Sequence, residues 1–190
     1  MKRSLLISLL LLVSTGAAAH TGHEVQGFAS GLAHPIGGLD HLLAMLTVGL
    51  WSAVVLPKHL WAGPLAFMGF MLLGAVLGVN GVTLPLLEPS IALSVVVIGL
   101  LLVGFAHTGV VPALLLIAAF ALFHGNAHGA EAPEGGSITL YMLGFLLSTA
   151  GLHLLGVGVG TVVVRATQTW LLRIVGGGIS AVGLWLLFAS

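Results

Sequence analysis

Residues 34–56 read HPIGGLDHLLAMLTVGLWSAVVL. The run is long enough to cross a bilayer core, which takes about 20 apolar residues, yet three ionisable side chains stand at its head: His34, Asp40 and His41. Such groups are costly in hydrocarbon and mark a pathway or a site. Pro35 suits the first position of a helix, so the pattern predicts a helix over 35–56 with His34 at its start. Positions 34 and 41 then share one face, with Asp40 beside it and Met45 one turn further along. Asp40 and His41 would lie roughly 8 Å below the helix start, where a carboxylate needs a partner or a cation. A plain Asp–His hydrogen bond, with Met45 as packing, is the blander alternative.

A second polar stretch closes another apolar segment: Phe123-His124-Gly125-Asn126-Ala127-His128-Gly129-Ala130-Glu131. His124, His128 and Glu131 fall on one helical face, and an i, i+4 histidine pair can grip one metal ion. Gly125 and Gly129 would let backbone or an ion come close. With the helix ending near Ala130, His124 lies roughly 9 Å below the same surface as the first motif. Two motifs running in opposite directions therefore meet at one depth. Imidazole with carboxylate is a ligand set for a divalent transition metal; capping histidines beside a polar loop are the alternative.

Other histidines carry less. His20 and His23, near Glu24, suit an outer capture site or a mobile tail. His153 would lie roughly 22 Å into its segment, as a station on an inward path or as an interior hydrogen-bonded group. His59 and His107 fall in connectors, and Glu88 reads as a helix-start charge, with a vestibule carboxylate as the alternative.

The rest of the chain agrees with a membrane setting. Of 190 residues, 58% are hydrophobic and 5% charged, and the mean hydropathy is +1.20. Five basic and five acidic residues balance, so no net charge calls for nucleic acid. The absence of cysteine excludes disulfides, thiolate sites and iron–sulfur clusters. The 28 glycines suit helices packed closely in lipid.

Residues 1–19 read as a cleavable signal peptide: Lys2 and Arg3, a short apolar core, then Ala17-Ala18-Ala19. Residues 20–190 form one transmembrane domain, with apolar segments at 35–56, 60–79, 84–105, 109–128, 138–159 and 170–188. The expected fold is an all-α membrane protein, a bundle of six transmembrane helices. With the mature N-terminus in the periplasm, alternation puts Lys58, Arg165 and Arg173 on the cytoplasmic side of a bacterial inner membrane, as the positive-inside rule wants. Asp40, Glu88, Glu131 and Glu134 fall at the outer ends.

These two motifs, with Met45, Val48-Gly49 and Ala53 downstream of the first, resemble those of the HupE/UreJ family of nickel/cobalt permeases, and the resemblance covers essentially the whole chain. It implies uptake of Ni²⁺ or Co²⁺ as transported substrate, with no resident cofactor, in a hydrogenase, urease or cobalamin context. His34, Asp40, His41, His124, His128 and Glu131 are the expected metal ligands. Acid should weaken binding by protonating the imidazoles. Two other classes use the same residues: an intramembrane zinc-dependent hydrolase with a metal-bound water, and a haem-binding or structural membrane subunit.

Overall fold

The computed structural model describes residues 23–104, 109–133 and 136–189. The proposed leader and His20 lie outside these residues; His23 begins the first helix, but its side chain lies outside the description. Among the described residues there is no strand. The helices are α1 (His23–Gly37), α2 (Leu39–Val55), α3 (Ala62–Val79), α4 (Leu87–Gly104), α5 (Val110–Ala130), α6 (Ile138–Arg165) and α7 (Thr169–Ala189).

Helices α3 to α7 are each long and apolar enough to cross a membrane. The bent pair α1 and α2 makes a sixth span if counted as one. The chain is thus an all-α, multi-pass membrane protein. Its first segment departs from expectation. Residues 35–56 do not form one helix: Pro35 sits inside α1, the chain is extended at Gly38 (φ −94°, ψ 121°), and α2 leaves at 79° to the helix before it. Proline deletes an i→i−4 bond, and the Gly37–Gly38 pair that follows has no side chain to hold a helix together. His34 therefore belongs to the last turn of one helix, and Asp40 and His41 to the first turn of the next. They do not share a helical face, and the depth expected for Asp40 and His41 from a helix start at 35 does not apply.

Close approach of backbones sorts the helices into three groups: α6 with α1 and α2, α3 with α5, and α4 with α7. Glycine makes the approach in each. A Cβ at Gly49 would run into His153 O, one at Gly125 into Met71 O, and one at Gly99 into the Ser180 side chain. The order of contacts gives direction: Leu46 and Leu50 meet Gly156 and Gly160, so α2 and α6 are parallel, as are α3 and α5, whereas α4 and α7 are antiparallel. These are the relations that alternating spans demand. The cationic Lys58, Arg165 and Arg173 consequently gather at one end of the bundle, opposite Asp40, Glu88 and Glu131.

Candidate metal centre

The break at Gly38 and the outer end of α5 bring four imidazoles into one cluster. The His41 ring lies 4.7 Å from that of His124 and 4.6 Å from that of His128, centroid to centroid. His34 lies 4.8 Å from His128 and 6.2 Å from His41. All four contacts are edge-on. His124 and His128 are fully buried, His41 is nearly so, and His34 is half-buried. The expected convergence of the two motifs at one depth is present, by a different route for the first.

Several groups orient the rings. Asp40 Oδ1 sits 2.7 Å from His41 Nδ1 and also accepts the His41 backbone N–H. A carboxylate that holds one ring nitrogen fixes the tautomer and leaves the other, Nε2, with a free lone pair. His41 Nε2 is buried with no partner. Ser94 on α4 does the same for His124. Its hydroxyl donates to Ile91 O at 2.6 Å, so Oγ accepts from His124 Nε2, 2.8 Å away. His124 Nδ1 is then a lone pair with no partner. His128 has neither nitrogen satisfied, and its ring stacks on Phe145 at 4.8 Å and 9°. A buried unsatisfied nitrogen costs about 1–3 kcal/mol. Four such atoms on three rings leave each of His41, His124 and His128 one lone pair that a cation could accept.

Two members of the cluster, His34 and His41, line an open cavity of about 440 Å³ whose wall also includes Ser30, Asp40, Glu88 and Glu131. Glu131 caps the C-terminal end of α5 and pairs with His34 Nε2 at 3.0 Å. Three carboxylates thus share a cavity wall with two of the four imidazoles. Among the described residues, no three His, Asp or Glu side chains stand already spaced to hold one metal ion. The rings touch each other where an ion would separate them.

Of the secondary candidates, Met45 is fully buried in the apolar core, and His153 lies deeper, against Phe67 rather than in the cluster. One contributor escaped the sequence pattern: Ser94 gives no signal in an apolar helix. Glu88 fits both of its readings, since it sits in the first turn of α4 and on the cavity wall. Asn126, between the two motif histidines, serves the scaffold. It accepts from the Leu84 N–H at 2.9 Å and donates to Val82 O at 2.7 Å and to Gly74 O at 3.4 Å. It pins the outer loop that leads through Leu86, in the left-handed region at φ 53°, to Glu88.

Comparison with known proteins agrees with the motifs. The family model described as HupE / UreJ protein matches residues 8–186. Protein HupE of Rhizobium leguminosarum bv. viciae is 39% identical over 171 residues, which cover 90% of each chain. No solved structure matches. With the family model spanning nearly the whole sequence and a relative aligned along nearly its whole length, the chain belongs to the HupE/UreJ family.

Proposed function

We propose that the chain is a secondary permease, not an enzyme, that takes up Ni²⁺ or Co²⁺ across the bacterial inner membrane. HupE/UreJ proteins are nickel/cobalt permeases as a family, and the outer site supports that activity here. The carrying observation is the set of unpartnered nitrogens on His41, His124 and His128, in a cluster whose His41 lines a cavity together with Asp40, Glu88 and Glu131.

Glu88 and Glu131 raise the local concentration of a dication at the mouth. Asp40 both compensates its charge and presents the His41 lone pair. Imidazoles then replace part of the hydration shell, a preference that sets borderline transition metals apart from Mg²⁺ and Ca²⁺. The ion spreads the rings that now touch, with His34 and Glu131 closing above it. A site assembled by its own cargo binds less tightly than a preformed one, which suits an ion that must leave. The cationic end at Lys58, Arg165 and Arg173 supports a cytoplasmic location for that face and a periplasmic location for the cavity. The membrane potential then drives a dication inward by about 4.6 kcal/mol per 100 mV, twice the single-charge value.

Uptake of radiolabelled Ni²⁺ and Co²⁺ into cells tests this. The wild type accumulates label, and Asp40→Ala or His128→Ala lowers the rate by about a hundredfold at equal membrane abundance. Unchanged accumulation in either variant removes that residue from the site, and a wild type that accumulates neither metal ends the proposal.

A further inference from the structure

One more imidazole lies below the outer cluster with nothing to bond. His153 is 1% exposed, and neither Nδ1 nor Nε2 has a partner. It sits on α6 roughly 22 Å from that helix's outer end. Between it and His124 stands an aromatic ring. Phe67 on α3 is fully buried and touches both imidazoles, edge-on to His153 at 5.2 Å and tilted against His124 at 5.5 Å. Thr149, one turn outward of His153 on the same face, is also fully buried, its hydroxyl 3.9 Å from Met71 Sδ.

His153 also helps line an open, apolar cavity of about 360 Å³, with Pro64, Met68 and the exposed Trp61, Leu65 and Leu154 on the wall. Trp61 and Leu65 also line a cavity of about 400 Å³ beside Lys58 and His59, at the cationic end. Two sets of unpartnered imidazole nitrogens therefore lie along the bundle, the outer cluster and His153, with the apolar Phe67 ring between His124 and His153. For packing alone, an aliphatic side chain at 153 would fill the volume without the unsatisfied nitrogens. The imidazole has a use only if something that accepts its lone pair arrives.

We infer that His153 is a second, weaker binding station for the permeating transition-metal dication, and that Phe67 is the barrier the ion passes to reach it. The inference rests on the permease function proposed above. One imidazole with the neighbouring Met68 thioether offers too few donors for tight binding, and the borderline N/S character still favours a nickel-like ion. Weak, sequential sites are what conduction needs. Passage requires the Phe67 ring to swing from between the two histidines.

The test combines calorimetric titration of the detergent-solubilised full chain with Ni²⁺ and initial uptake of radiolabelled Ni²⁺ in cells, for wild type, His153→Leu, His153→Cys and Phe67→Leu. His153→Leu is expected to bind Ni²⁺ within about twofold of wild type and to take it up about tenfold more slowly. His153→Cys, which restores a metal donor, recovers much of the rate. Phe67→Leu, with a smaller barrier, raises it. Wild-type uptake by His153→Leu overturns the inference. So does joint loss of affinity and rate, which would make His153 a prop of the outer cluster, or equal slowness of the Leu and Cys variants. Should neither position-153 variant yield folded protein, an unchanged or lower rate in Phe67→Leu overturns it as well. A wild type that neither binds nor accumulates Ni²⁺ is a different failure, that of the permease function itself.

Discussion

The two polar motifs reach the same place by opposite means. The second is one unbroken helix: His124 and His128 lie a turn apart on α5, and a histidine at i reliably finds its companion at i+4. The first is a fracture. His34 and His41 come from separate helices that meet at 79°, and they approach only because the chain turns at Gly38. The unbroken motif supplies fixed, fully buried rings. The fractured one supplies the half-buried His34, the Asp40 carboxylate and the ring it steers. One side of the site is thus a continuous helix and the other a corner between two helices, each seated on α6.

Placing a methyl group on either side should separate these roles. The largest effect is expected at Gly125, where a Cβ would collide with Met71 O between α3 and α5. Gly125→Ala should destabilise the protein by about 2–3 kcal/mol through overpacking, seen as a lowered Tm in detergent. Gly151→Ala, where nothing lies within 4 Å, is the control that should leave Tm unmoved. If both behave alike, the α3–α5 contact is not what fixes the unbroken motif. At the corner, a Cβ on Gly38 would come 2.8 Å from Asp40 Oδ1 and 3.2 Å from His41 Nδ1. Gly38→Ala should therefore keep Tm yet weaken Ni²⁺ binding by about tenfold, as disturbed ligand support commonly does. Intact affinity in calorimetry would mean the Asp40–His41 pair does not set the site. The smallest effect belongs to the mouth. Glu131→Gln keeps the shape and removes one charge beside His34. It should slow uptake by about twofold to threefold at low ionic strength and not at high salt, since screening already removes that attraction; a salt-independent loss would make Glu131 a ligand instead of a funnel.

The same contrast explains what could be learned from the residues in order. The α5 motif, the helix that carries it and its depth follow from spacing alone, because a continuous helix converts sequence separation into position. So do the spans at 62–79 and 110–130 and the segregation of Lys58, Arg165 and Arg173. The α1–α2 break was hidden by Pro35, which fits the start of a helix as well as its interior near an end; the adjacent Gly37–Gly38 was the signal that could have decided it. Helix α6 runs past its expected end at 159 to Arg165, since apolar Thr-Val-Val-Val offers no stop before the first charge. Ser94 joins the site through packing of α4, and pairing between distant helices leaves no trace in local spacing.

The grouping of helices carries a mechanical consequence. His34 and His41 ride on the α1–α2–α6 group, His124 and His128 on the α3–α5 pair, and Ser94 on α4–α7. Each group is welded internally by backbone contact, while the seams between groups are thinner. Any relative slide of these blocks, such as the one that would free the Phe67 ring, must pull the four imidazoles out of register at the same moment. In the permease function proposed above, capture and release would then be two positions of one ratchet, with the cargo's own bonds as the pawl.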